Sequence, residues 1–183
     1  MAIEGAKKGL AIEYIFVTLW QKKKCRIMDK SLVIRYKEFA SATELEGCDR
    51  ELLAQAFQAA EGAYAPYSQF HVGAALRLKD GSVVCGNNQE NAAYPSGLCA
   101  ERTALFAASA QRPELRDYDT LAIVGINQEG HRCEASPCGA CRQVMAEYEQ
   151  RQGHPMRILC FVSESCIRLF DSVADLLPFG FDF

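Results

Sequence analysis

The stretch Ser96-Gly97-Leu98-Cys99-Ala100-Glu101-Arg102-Thr103-Ala104-Leu105 sets a thiol and a carboxylate two positions apart, followed by residues that favour helix. Both groups therefore stand at the opening of a helix, where the first backbone N–H groups lack intrahelical acceptors and negative charge is favoured. A helix N-terminus lowers a cysteine pKa, and the thiolate is the form that ligates metal. A matching opening follows at Ser136-Pro137-Cys138-Gly139-Ala140-Cys141-Arg142-Gln143. Pro137 sits at the helix start, and two cysteines three apart share a helical face, with about 5–6 Å between Cβ atoms. Together the openings offer three soft ligands, Cys99, Cys138 and Cys141, suited to a tetrahedral zinc. Three protein ligands leave the fourth position to water, the arrangement of a catalytic zinc, and Glu101 remains beside that water as a proton carrier.

Working outward, residues 87–94, Asn-Asn-Gln-Glu-Asn-Ala-Ala-Tyr, form a polar segment too long for a turn. A polar loop that feeds a metal site is expected to contact substrate. Before it, two apolar runs at 70–78 and 83–86 are joined by Lys79-Asp80-Gly81-Ser82, a hairpin signal. Leu52, Leu53, Ala56, Phe57 and Ala60 recur at helical spacing, with Asp49 as N-cap and Gly62 as stop signal. Alternation over 32–39 predicts an edge strand, and the apolar runs 121–126 and 157–162 predict buried strands. A last strand is expected at 167–170, after which Ser172 caps a short helical turn. Strands alternating with helices after an initial hairpin give a mixed sheet with helices on its faces, an α/β layered domain.

At 183 residues and 49% apolar content the chain suits one core. Twenty basic against 23 acidic residues, a net charge of −3, argue against a sequence-independent grip on nucleic acid and favour a small-molecule substrate. Nine cysteines, an odd number with three in metal spacing, point to a reducing compartment, the cytoplasm; the other six are expected as buried or neutral thiols. The apolar run 10–20 is too short to span a bilayer, it carries Glu13, and Lys22-Lys23-Lys24 stands where a signal-peptide cleavage site would be, so neither membrane insertion nor secretion is expected. Residues 1–27 read as an N-terminal extension dispensable for catalysis, either an accessory arm or an upstream start, and 28–183 as a single domain. The three histidines, His71, His131 and His154, have no metal spacing with the cysteines, and His131 lies in a turn composition.

Cys99-Ala100-Glu101 followed by Pro137-Cys138-Gly139-Ala140-Cys141 resembles the zinc-dependent cytidine deaminases of the cytidine/deoxycytidylate deaminase superfamily, in particular the small homotetrameric type with three cysteine ligands. The resemblance spans residues 49–183. It implies a three-layer α/β/α cytidine deaminase-like fold with a mixed five-stranded sheet, and one zinc per subunit on Cys99, Cys138 and Cys141. It implies hydrolysis of cytidine and deoxycytidine to uridine, deoxyuridine and ammonia in pyrimidine salvage, with zinc-activated water as nucleophile and Glu101 as the proton shuttle. In the family the pattern Asn-x-Glu-Asn-Ala-x-Tyr binds the sugar, so Asn88 and Glu90 are expected at the ribose 3′-hydroxyl. Phe70 is expected against the pyrimidine and Ala100 among the substrate contacts. Ala92 and Tyr94 occupy positions that reach a neighbouring subunit's site, and a C-terminal phenylalanine, Phe181 with Phe179 as the alternative, closes another. Three thiolates over-neutralise a divalent zinc, and Arg102 is placed to donate to the Cys99 or Cys138 sulfur, with Gln143 supporting the same shell.

Two other readings stay open on the sequence. A structural zinc module that catalyses nothing would close its site with Cys133, five residues before Cys138. A deaminase of a related nucleoside or nucleoside antibiotic would share the zinc motif; Asn88, Glu90 and Phe70 favour cytidine. Nucleic-acid and nucleotide deaminases generally use histidine as first ligand and fit less well.

Overall fold

Leu52, Leu53, Ala56, Phe57 and Ala60 fall on one side of helix α1, Gly47–Glu61, and all are buried. In the computed structural model, which describes residues 29–114 and 116–181, that side lies on a mixed sheet. The chain divides into residues 1–33 and 34–183, and among the described residues every helix and strand belongs to the second unit. The extension expected at 1–27 lies outside the described residues.

The strands are β1 Lys37–Phe39, β2 His71–Leu78, β3 Val83–Asn87, β4 Tyr118–Ile126, β5 Arg132–Cys133, β6 Arg157–Ser163 and β7 Cys166–Phe170. Their order is β1-β7-β6-β4-β2-β3, with β5 added to β4. β4 and β6 run parallel, and every other pair is antiparallel. The sheet is therefore mixed, as expected, but has seven strands where five were predicted. The edge strand expected at 32–39 is present as β1, cut to three residues, and β5, of two residues, is the strand that no sequence signal marked. Residues 32–36, the first part of the strand expected at 32–39, carry no helix or strand.

Side chains alternate across the strands, so each strand serves two cores. Ala75, Ala122, Val124, Leu159 and Phe161 face α1. Ala74, Leu76, Leu121, Ile123 and Ile158 face helix α2, Ala100–Gln111, and helix α3, Gly139–Gln152. The result is three layers, α/β/α. The hairpin turns at Gly81, whose φ of +85° is open to glycine without strain, and Asp80 accepts from the Ser82 backbone N–H and hydroxyl.

Asp49 is not the N-cap of α1. Glu46 holds that position, and Asp49, 2% exposed, pairs with Arg77 of β2 and Arg157 of β6. Its charge is satisfied across the sheet rather than at the helix end.

Two glycines let the helices approach the hairpin. A Cβ on Gly73 would stand 2.6 Å from Ala60 N of α1, and a Cβ on Gly86 would stand 2.5 Å from Ala104 N and 2.6 Å from Ala100 O of α2. Because the obstructing atoms are backbone, no rotamer change relieves the overlap. Gly86→Ala is expected to reduce unfolding free energy by at least about 2 kcal/mol. Urea unfolding reads this directly, and an unchanged midpoint would mean that α2 can back away from β3.

Candidate active site

Cys99 and Cys138 are the N-cap residues of α2 and α3, with extended backbones (φ, ψ of −76°, 153° and −68°, 167°), and neither sulfur caps its own helix. Both sulfurs are thus available to a third party at the positive end of a helix. Cys141 lies in the first turn of α3 and is fully buried. The three Sγ atoms lie within 4.8 Å of one another, with Cys138 and Cys141 3.4 Å apart. Tetrahedral zinc with bonds of about 2.3 Å spaces its sulfurs about 3.8 Å apart, so the trio has the dimensions of a zinc site. Among the described residues this is the one cluster of three metal-ligating side chains.

The charges agree with the geometry. The Cys141 thiol and the Arg102 guanidinium hold the Cys99 thiol down, to about 5, and Arg102 Nη2 donates to Cys99 Sγ at 3.4 Å. Cys141 is pushed up by its bond to Cys99 and by burial. Three sulfurs this close cannot all ionise against one another. A divalent thiophilic cation in place of their protons resolves the conflict, with the helix ends and Arg102 offsetting the third negative charge. Arg102 Nε is buried without a hydrogen-bond partner, so the arginine has donor capacity beyond its bond to Cys99.

Glu101 projects from the first turn of α2 next to these sulfurs and is 4% exposed. Burial, reinforced by the Cys99 charge, raises its pKa. A carboxyl with increased proton affinity at the wall of a cavity is suited to taking and returning a proton.

That cavity, of about 550 Å³, is lined by Phe70, Asn88, Glu90, Tyr94, Cys99, Glu101, Arg102 and Cys138 among others. It therefore gathers eight of the residues singled out in the sequence. Ala92, Ala100, Gln143 and Phe181 are not among its walls, nor is Cys141, buried behind Cys99 and Cys138. The Ala100 side chain is in the core, leaving only its backbone at the helix opening. The Gln143 amide pairs with the backbone of Phe181, donating to Phe181 O at 2.7 Å and accepting from Phe181 N at 3.0 Å. Ala92 is exposed, Tyr94 is 82% exposed, and Phe181 and Phe179 are 66% and 90% exposed.

The polar loop is tied by hydrogen bonds to the segment before β2. Glu90 Oε2 accepts from Tyr67 N at 2.9 Å and Ser68 N at 3.2 Å. The Ser68 side chain and these backbone donors hold the Glu90 carboxyl below the usual carboxylate range. The cavity also includes Tyr67, Ser68, Glu134 and Ala135, which no sequence motif marked, and Ser136, the first residue of the stretch that opens the Cys138 helix. The segment 134–136 runs directly into the Cys138 helix, a position that could have suggested them.

Cys133 stands on β5, paired with Gly125 of β4, and is not part of the sulfur cluster. A closed four-cysteine site is thereby disfavoured. Cys133→Ser is expected to leave zinc at about one per chain and turnover within about twofold, by metal analysis and steady-state kinetics. Loss of zinc would restore the structural-module reading. His131 lies in the expected turn, its N–H and that of Glu129 donating to Asn127 Oδ1, and His154 hydrogen-bonds with Lys79. Neither histidine belongs to the sulfur cluster.

Comparison with known proteins agrees with this geometry. Residues 46–153 match the family model of the cytidine and deoxycytidylate deaminase zinc-binding region. The chain is 54% identical over 100 residues to a cytidine deaminase of Halalkalibacterium halodurans, covering 54% of this chain and 71% of that protein. It is 43% identical over 112 residues to a cytidine deaminase of Mycobacterium tuberculosis, covering 58% and 77%. The crystal structure of cytidine deaminase from Burkholderia pseudomallei matches with a TM-score of 0.63 at 42% identity, over 72% of this chain and 97% of that one. Both helix openings that bring the sulfurs to Glu101 fall within the matched zinc-binding region, and the chain belongs to the cytidine and deoxycytidylate deaminase family.

Proposed function

We propose that this chain is a cytidine deaminase, hydrolysing cytidine and deoxycytidine to uridine and deoxyuridine with release of ammonia. The observation that carries the reading is a buried Glu101 on the wall of one cavity, beside a cluster of three sulfurs of which Cys99 and Cys138 line the same cavity.

Cys99, Cys138 and Cys141 are the residues that would hold zinc, which when bound supplies Lewis-acid activation of water at neutral pH. Glu101 accepts the proton that water gives up and delivers it to N3 of the pyrimidine, making C4 a better electrophile. The same carboxylate then takes the remaining hydroxyl proton and passes it to the departing amino nitrogen. Its raised proton affinity suits both halves of this cycle, since it must hold each proton long enough to hand it on. Arg102 keeps the Cys99 sulfur anionic throughout.

The ring of Phe70 offers an apolar platform for the base, and the wall made by Asn88 and Glu90 takes the sugar. Glu90, held ionised, is an acceptor for a ribose hydroxyl. The exposure of Ala92, Tyr94, Phe179 and Phe181 supports a homotetramer in which neighbours complete each site, Tyr94 and Phe181 being the contributors. The described cysteines are all free, which supports a cytoplasmic setting. No helix among the described residues is long and apolar enough to cross a membrane. The sequence carries no excess of basic residues to favour a nucleic-acid partner.

Incubation with cytidine is expected to yield uridine and one equivalent of ammonia, identified by chromatography and an ammonia assay. A zinc-loaded protein that leaves both cytidine and deoxycytidine unchanged would overturn the substrate assignment.

A further inference from the structure

We infer that Gly125 of β4 is a positioning residue for the base: by lacking a side chain it fixes where the Phe70 ring stands, and with it the depth of the pyrimidine pocket. This rests on the cytidine deaminase reading above and assigns one more residue of the same site.

Side chains alternate along β4, so Gly125 shares a face with Ile123, which lines the cavity. Gly125 is paired on both sides, with Val72 of β2 and Cys133 of β5. β4 therefore cannot retreat at this point without breaking both ladders. A Cβ on Gly125 would stand 2.9 Å from Phe70 Cζ, 3.1 Å from Cys133 O and 3.2 Å from Ala135 Cβ. The obstacle differs in kind from those at Gly73 and Gly86, where backbone atoms block the way. Here the closest atom is the tip of an aromatic ring, so it is the ring that yields.

The backbone of Phe70 leaves the ring one way to do so. Phe70 N donates to Ser68 Oγ at 3.1 Å, and Phe70 O accepts from Asn88 Nδ2 at 2.9 Å. Gln69 before it is held at φ +54°, a conformation that non-glycine residues seldom adopt. With both peptide groups engaged, relief comes from rotation of the side chain. A methyl at position 125 thus lifts the tip of the ring off β4 and into the cavity that Phe70 and Ala135 line, where the base is to lie. Gly125 is not itself among the cavity walls, so its effect on substrate passes through Phe70.

The test compares Gly125→Ala and Phe70→Leu, singly and together, with the unaltered protein. Leucine has no atom at the Cζ position and so removes the overlap. Gly125→Ala is expected to keep about one zinc per chain, to raise KM for cytidine about tenfold and to leave kcat within about threefold. In the Phe70→Leu background the same change should cost less than about twofold, because the atom it strikes is gone. The dissociation constant of uridine, read by calorimetry in all four proteins, should follow the same pattern. An equal penalty in both backgrounds would overturn the inference by placing the effect on Cys133 and Ala135. No penalty in either would overturn it by showing that the ring has room. If Gly125→Ala does not fold, the double variant is expected to fold, and its failure would also overturn the inference. Magnetic resonance of labelled phenylalanine rings separates this inference from the functional reading. Should the unaltered protein turn over neither nucleoside, the cytidine reading fails. A shift of the Phe70 ring signals in Gly125→Ala, identified by their absence from Phe70→Leu, would still support the seating of the ring on Gly125, and unshifted signals would overturn it.

Discussion

Glu101→Gln is expected to bind about one zinc per chain and to lose at least about 10²-fold in kcat, with KM within about threefold. Glutamine preserves the shape of the side chain and its place in the first turn of α2, so neither the helix opening nor the sulfur cluster should move. What it cannot do is accept a proton and return it. The buried carboxyl, with its raised proton affinity, is the group in the cavity wall suited to move protons between water, N3 and the leaving nitrogen. Removing a buried carboxylate costs no paired charge, so the unfolding midpoint should stay level or rise. If Glu101 were merely an acidic residue favouring a helix N-terminus, the variant would instead lose a few tenths of a kcal/mol of stability and keep its turnover. Metal analysis with steady-state kinetics distinguishes the two.

Cys141→Ser is the second large effect. Cys141 is fully buried between the other two sulfurs and Glu101, and a hydroxyl is a far poorer ligand for a thiophilic cation than a thiolate. Zinc is expected to fall from about one to below about 0.1 per chain, with turnover lost alongside. Since a metal that binds only the folded chain stabilises it by mass action, the variant should melt where the chelator-treated protein melts. Full zinc occupancy in Cys141→Ser would remove this cysteine from the ligand set.

Much of this site could be read from spacing, because its chemistry is local. Cys99 and Glu101 are two residues apart, Cys138 and Cys141 three apart, and each pair opens a helix recognisable from its own composition. The Asp80-Gly81 hairpin was equally plain, a turn chemistry with one backbone solution. What escaped depended on partners far along the chain. Asp49 looks like an N-cap from its neighbours, but Arg77 and Arg157, 28 and 108 residues away, claim its carboxylate. Gln143 sits beside the zinc motif in sequence, yet its amide is taken by Phe181, 38 residues on. β5, of two residues, is too short to show a period of two, and only pairing with β4 makes it a strand. Tyr67 and Ser68 line the cavity because Glu90, 22 and more residues on, accepts from their backbone N–H groups, a pairing that no local pattern expresses.

The most direct test of the central claim is a single titration on purified protein, following the loss of cytidine absorbance in the ultraviolet as zinc content per chain is varied by chelation and reloading. The account predicts turnover that rises in proportion to zinc and saturates at about one zinc per chain. Turnover independent of zinc, or one zinc per chain with no deamination of cytidine or deoxycytidine, would contradict it.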